Sequence, residues 1–235
     1  MTTTVLIGID DTDNSASDGT GRLARRLAEE AVRRGAVSLG ITRHQLLVDE
    51  RIPYTRQNRG ICVGLRWLEL REKLDFAMDL IADGSADGSD PGICIATEGS
   101  VGADVIAWGQ AATQRVLAME DAVKLAAVSG MCLRPLGGSG QGIVGALACV
   151  GLRAGGNDGR FVDLPGLRQL GDYVSGQELR DMGIDVKHLS PANDRERYKT
   201  LGWVRPRLMN GKAVWPVQWS DEHDAWISVD RKKVR

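Results

Sequence analysis

The stretch "VLIGIDDTDNSASDGTGRLARRLAEEAVRRG", residues 5–35, limits the fold more than any other part of the chain. Residues 3–10 form an apolar, β-branched run that is too short for a helix and ends in turn residues, the pattern of a buried strand. Asp10, Asp11 and Asp13 then stand at the strand's C-terminal end. Beyond them Leu23, Ala24, Leu27, Ala28 and Ala31 recur at helical spacing. Arg25, Arg26, Glu29, Glu30, Arg33 and Arg34 are expected on the opposite side, and Gly35 supplies a stop.

Like charges this close repel, and a cation that neutralises them accounts for keeping all three at one strand end. Hard carboxylate oxygens of this kind suit Mg²⁺. The competing reading gives one carboxylate to a helix cap, one to an Asx turn and one to solvent. An EF-hand loop counted from Asp11 fails, because Ala16 and Arg22 stand where Gly and Glu are needed. A phosphatase of the haloacid-dehalogenase kind survives as an alternative, with Asp11 as nucleophile and Asp13 as acid/base, although "DTDNS" ends in Ser15.

Glycine supplies the second feature. Gly137, Gly138, Gly140, Gly142 and Gly145 in "GGSGQGIVGALACVGL" let backbone amides approach an anion. The apolar segment that follows reads as a buried helix whose N-terminus faces the same anion. With Ser139 and Gln141 this is the expected phosphate cradle, although it is neither a Walker loop nor a Rossmann fingerprint, and a surface turn is the alternative. A third stretch, "RIPYTRQNRG", carries Arg51, Arg56 and Arg59 with Asn58 between two expected strands. Its guanidiniums suit bidentate phosphate contacts, with a solvated loop as the alternative.

Further strands are expected at residues 37–48 and 61–68, a helix at 69–82, a surface loop in "DGSADGSDPG" and a strand in "ICIAT". Residues 103–129 read as one or two helices with a break near 118–121, and "MCLRPL" as another strand. Past residue 155 the character changes: "RAGGNDGR" marks a boundary, Ser175 caps a short helix in "VSGQELRDMG", and Asn210 and Gly211 signal a hairpin. The expected class is α+β, a mixed sheet with flanking helices and a small C-terminal antiparallel β appendage. Its parts are a nucleotide-binding domain at 1–155, a linker with a short helix at 156–198 and a Trp-rich β-unit at 199–235.

The 30 basic and 31 acidic residues nearly cancel, so a nucleic acid or anionic membrane would have to be met by a local patch. No apolar run reaches bilayer length and the first residues lack a signal-peptide pattern, so the cytoplasm is the expected location and no membrane partner is expected. Cys62, Cys94, Cys132 and Cys149 are widely spaced among apolar neighbours, the pattern of buried thiols, and His44, His188 and His223 do not cluster. A zinc enzyme or a His-centred triad is disfavoured.

"GIDDTDN", "IPYTRQNRG" before a strand, "DPGICIA" after a loop and "GGSGQGIVGALACVGL" occur in the order found in the archaeal tRNA-isoleucine agmatidine synthetase family. Over roughly residues 3–155 the chain resembles that family's ATP-dependent kinase-like domain. The resemblance implies a site for ATP and Mg²⁺, with Asp10, Asp11 and Asp13 matching the family's "DDTD" carboxylates and residues 140–145 its glycine-rich segment. Arg22 stands about where that family carries a threonine that becomes phosphorylated, with Thr20 nearby but out of register. No stretch matches the family's agmatine-binding domain or zinc ribbon, so tRNA is not an expected partner.

The leading expectation is an ATP- and Mg²⁺-dependent phosphoryl-transfer enzyme acting on a small molecule. Asp10, Asp11 and Asp13 hold the metal, one of them activating the acceptor. Thr12, Gly19, Thr20, Arg56, Asn58, Arg59, Gly137, Gly138, Ser139, Gly140, Gln141 and Gly142 surround the nucleotide. A non-catalytic nucleotide-responsive module and the phosphatase remain as alternatives. Trp203, Trp215, Trp219 and Trp226 in the tail are expected to pack against the larger domain or against a second subunit in a homodimer.

Overall fold

The computed structural model describes residues 2–17, 19–52, 57–67, 74–191, 195–202 and 204–229. Arg56, Trp203 and the first part of the helix expected at 69–82 lie outside the described residues. Strand β1 (Thr3–Asp10) runs antiparallel to both of its neighbours, β3 (Arg59–Trp67) and β4 (Gly92–Thr97).

The uninterrupted apolar character of β1 follows from burial on two faces. Val5, Ile7 and Ile9 pack with Leu23, Leu27 and Ala31 of α1 (Thr20–Arg33) and with Ile81 of α2 (Asp75–Gly84). Leu6 packs on the other side with Leu147 and Val150 of α5 (Gly142–Gly155). Burying side chains of this size contributes about 1.5–3 kcal/mol each, so both faces hold the strand. Two further helices, α3 (Ala103–Ala112) and α4 (Met119–Val128), cover α5 and this second face; the stretch read as one or two helices is two, and the break falls at residues 113–118, a few residues before the expected 118–121.

Glycine lets α5 lie unusually close to the sheet. A side chain on Gly8 of β1 would overlap the Ala146 carbonyl, and one on Gly92 would overlap the Gly142–Ile143 backbone. Asp10 is in register with Gly92, so this close approach brings the N-terminus of α5 to the C-terminal end of β1. The site described below depends on that placement.

The sheet runs β5 (Cys132–Pro135), β4, β1, β3, β2 (Val37–Gln45), β6 (Arg160–Asp163), β10 (Arg207–Met209), β11 (Lys212–Ser220), β12 (Ala225–Ser228), β9 (Arg197–Lys199) and β7 (Tyr173–Ser175). A further strand, β8 (Ile184–His188), pairs with β11. Among the described residues all pairs are antiparallel except β8 with β11 and β9 with β12, which makes the fold α+β with a mixed sheet.

The C-terminal strands follow local rules. Asn210 and Gly211 take φ of 50° and 76°, the left-handed pair that joins β10 to β11 in a tight hairpin. Residues 156–198 contain α6 (Gly176–Asp181), whose N-terminus is closed by a Ser175–Glu178 capping box, together with β6, β7 and β8. Trp215 and Trp226 are fully buried with Phe161, Leu179, Ile184 and Tyr198 in a separate core, and Trp219 meets Trp226 edge-on at 5.5 Å. Cys62, Cys94 and Cys149 are buried free thiols. No helix among the described residues is long and apolar enough to cross a membrane.

Candidate functional site

A cleft of about 980 Å³ opens where β1 ends. Asp10, Asp11 and Asp13 line it together with Gly19, Thr20 and Gly21 at the start of α1 and Gln141, Gly142 and Gly145 at the start of α5. Its remaining wall carries Arg22, Arg25, Arg43, Arg51, Arg59 and Arg115.

The turn between β1 and α1 is held by its own polar groups. Asp11 takes a left-handed φ of 53°, a conformation that Asp tolerates better than most residues. Thr12 Oγ1 donates to Thr20 Oγ1 at 3.1 Å, and Thr20 Oγ1 donates to Asp13 Oδ1 at 3.3 Å. Backbone bonds from Ala86 to Thr12 (3.0 Å) and from Asp90 to Asp11 (3.1 Å) tie the turn to the loop before β4. Thr12 is buried beneath the turn and is a clamp, not a wall of the cleft.

The carboxylates are costly as they stand. Asp10 is buried against Gly145, where any side chain would strike its carboxylate. Burial first, and the Asp11 charge second, push the Asp10 carboxyl up to about 7, with Asp13 adding to the rise and the Asp11 N–H opposing it. Asp11 is raised to about 6, by burial and then by the charges of Asp90 and Asp13. A cation would reverse these shifts. Among the described residues no three His, Cys, Asp or Glu side chains are arranged as a metal cage. Mg²⁺ seldom uses one: it takes one or two carboxylates, water and substrate phosphates, and the crowded aspartates fit that role.

The glycine-rich stretch divides in two. Gly137, Gly138, Ser139 and Gly140 are not among the cleft walls; the carboxylate of Asp90 occupies their concavity. It accepts from the Ser139 N–H, from Ser139 Oγ at 2.6 Å and from the Gly140 N–H at 3.1 Å. The amides expected to cradle a phosphate therefore hold a protein carboxylate. Gln141 and Gly142, by contrast, reach the cleft at the start of α5. Neither α5 nor α1 has a side-chain cap or an acidic residue in its first turn, so two positive helix ends face the cavity.

From the "RIPYTRQNRG" loop the cleft receives Arg51, Asn58 and Arg59. Asn58 Nδ2 donates to the Leu47 carbonyl at 2.6 Å, and Arg59 Nε donates to Gln45 Oε1 at 2.8 Å. Arg51 is paired with Asp49 at 2.7 Å, which holds that carboxyl well below the usual range. Sequence reasoning did not place Asp90, Arg25, Arg43 or Arg115 at the site. Helical spacing turns Arg25 away from the core, and in the structure that direction leads into the cleft.

Solved structures share this arrangement of elements. No family model matches the sequence, and no curated protein matches it. A structure described as a tRNA fluorescent labeling enzyme matches 63% of this chain and 36% of its own, with 25% identity and a TM-score of 0.55. The complex of TiaS with an isoleucine tRNA and ATP matches to the same extent, with 25% identity and a TM-score of 0.55. Apo TiaS, an agmatidine synthetase for that tRNA, gives 24% identity and a TM-score of 0.54. The chain carries the fold of part of TiaS. The matched portion spans about a third of TiaS and leaves over a third of the present chain uncovered.

Proposed function

We propose that the chain is an ATP-using transferase that takes the nucleotide with Mg²⁺ into this cleft. The observation that carries the proposal is the meeting of three crowded carboxylates and two uncapped helix N-termini in one cavity. A metal–nucleotide needs that pairing, with acid oxygens for the cation and amide-rich positive ends for the phosphates. The likeness to TiaS, which has been captured with ATP, supports it.

Asp10, Asp11 and Asp13 would hold Mg²⁺, which when bound neutralises charge on the phosphates. The first turns of α1 and α5, through Gly19, Thr20, Gln141 and Gly142, bind the phosphate chain together with Arg59 and Arg115. Thr12 keeps Thr20 and Asp13 in register. One of the aspartates activates the acceptor by taking its proton. Arg56 belongs to the same proposed set by sequence alone.

A small molecule is the proposed acceptor, because the cavity volume lies in the range of small-molecule sites. tRNA is the second reading, favoured by the tRNA bound in the matched complex. The test is incubation with α- and γ-labelled ATP and panels of amines, alcohols, carboxylates and tRNA. Label in a small molecule supports the first reading and label in tRNA the second. Release of phosphate from generic esters without ATP would indicate the phosphatase. ATP that binds and is never consumed would indicate a regulatory module, which Arg22 at the mouth of α1 favours.

A further inference from the structure

One end of the cleft is apolar. Val116, Leu117 and Ala118, in the turn between α3 and α4, and Met119 at the start of α4 line it together with Leu46 and Val144. Leu117 packs against the buried cluster that contains Leu46, whereas the Val116 side chain stays 40% exposed at the cavity wall. The Leu47 N–H donates to the Ala112 carbonyl at 3.0 Å, which fastens the chain after β2 to the end of α3 and holds this wall together. The wall adjoins the groups assigned above to the metal and the phosphates. A side chain on Gly145 would strike the Asp10 carboxylate and also meet Leu46 Cδ1 at 3.0 Å, and one on Gly140 would approach Met119 Sδ to 3.6 Å. Arg115 borders the wall on the chain's way into it.

Two further features say what kind of group this wall takes. Three helices begin at the cleft: α1 and α5 carry no acid in their first turns, whereas α4 begins with Glu120 and Asp121. Those carboxylates offset the positive end of α4 and repel phosphate, so the uncharged part of a ligand belongs here. Among the described residues no hydrogen bond is made by the backbone N–H or C=O of Val116 or Leu117. An apolar surface that carries both donors and acceptors suits a flat heteroaromatic ring with the complementary edge. We propose that the α3–α4 turn seats the nucleobase of the nucleotide, with Leu46, Val116 and Met119 against the ring and the main-chain groups of Val116 and Leu117 bonded to its edge. The inference rests on the nucleotide reading above and adds where the uncharged end of the nucleotide lies. The cleft is then ordered from the base at α4, through the phosphates at the starts of α5 and α1, to the metal at the end of β1. Adenine offers its amino group as donor and the adjacent ring nitrogen as acceptor, which one C=O and one N–H meet together.

Adenosine, purine riboside, Mg–tripolyphosphate and MgATP are titrated by calorimetry into the wild type, Val116→Ser, Val116→Leu and Glu120→Gln, with thermal melts to confirm folding. Val116→Ser should weaken adenosine and MgATP by the same factor, about fivefold, and leave Mg–tripolyphosphate within about twofold. Val116→Leu should keep the wild-type affinities. Purine riboside, which is adenosine without its amino group, should bind the wild type about tenfold more weakly than adenosine. Glu120→Gln should leave Mg–tripolyphosphate within about twofold, because the phosphates lie elsewhere. Adenosine bound equally by Val116→Ser and the wild type would overturn the base seat. So would tripolyphosphate weakened as much as ATP by Val116→Ser, tripolyphosphate strengthened more than about fivefold by Glu120→Gln, or riboside bound as well as adenosine. A wild type that binds Mg–tripolyphosphate and gains nothing from the nucleoside would overturn the seat and leave the metal and phosphate site standing. One that binds adenosine through Val116, with no Mg-dependent gain for ATP, would strike the nucleotide reading and leave the seat supported. Binding of neither adenosine nor ATP would overturn both.

Discussion

Replacing Asp10 by asparagine should stabilise the metal-free protein while destroying its nucleotide site. In the unfolded chain this carboxyl titrates near 3.8; burial and the neighbouring Asp11 charge move it to about 7 in the fold. Between pH 4 and 7 the folded state therefore keeps a proton that the unfolded state releases, so stability falls as pH rises through that window and is level above it. At about 1.4 kcal/mol per pH unit the accumulated cost is about 4 kcal/mol at pH 8, an upper figure because solvent and structure relax around the charge. The asparagine side chain has nearly the same shape and no charge. In EDTA, Asp10→Asn should match the wild type near pH 4, exceed it progressively up to about pH 7 and keep that margin at pH 8, roughly 10 °C in melting temperature for a chain of this size. Adding MgATP should raise the melting temperature of the wild type and not that of the variant. Urea or thermal unfolding at several pH values reads both effects. A variant no more stable than the wild type at pH 8 would refute the claim that the Asp10 charge is a cost awaiting a cation.

Gly145→Ala should abolish MgATP binding and destabilise by about 1–3 kcal/mol, because the added methyl meets the Asp10 carboxylate and approaches Leu46 Cδ1 to 3.0 Å; calorimetry and a denaturant melt read the two effects. Asp90→Ala should cost about 1–3 kcal/mol by leaving the Ser139 and Gly140 amides without their acceptor, and should lower the pH at which Asp11 titrates, since Asp90 is the larger of the two charges acting on it; carboxyl NMR reads the second effect. His44 is buried between Asp158 (2.8 Å) and Thr42 (2.9 Å), and burial lowers its pKa below the ordinary 6.5 although Asp158 opposes the shift. The neutral folded ring makes stability fall as pH drops below 6.5, opposite in sign to the Asp10 effect, and His44→Gln should remove that slope in an acid titration of stability.

Features set by neighbours in sequence were legible before the structure. The β1 run, the aspartates at its end, the amphipathic α1, the Ser175 cap and the Asn210–Gly211 hairpin each depend on periodicity or turn chemistry within a few residues. Features set by distant pairing were not. Asp90 reaches the site because β4 lies against β1 with Gly92 opposite Asp10, and nothing local specifies that register. The glycine loop was legible as an anion cradle, but its anion is a carboxylate 49 residues earlier in the chain than Ser139. Arg43 is one polar residue in a strand until β6 sets Arg160 beside it. Helical spacing correctly turned Arg25 away from the core, yet could not tell solvent from a cleft wall.

The most direct test of the central claim is a calorimetric titration of ATP into the wild type and Asp11→Asn, each with Mg²⁺ and with EDTA. Asparagine is at ease in the left-handed conformation of this position, so the substitution removes charge and preserves the turn. The account predicts ATP binding in the wild type with Mg²⁺ and binding at least tenfold weaker in the other three arms. ATP that binds equally well without the metal or without the Asp11 charge, or that does not bind at all, would contradict it.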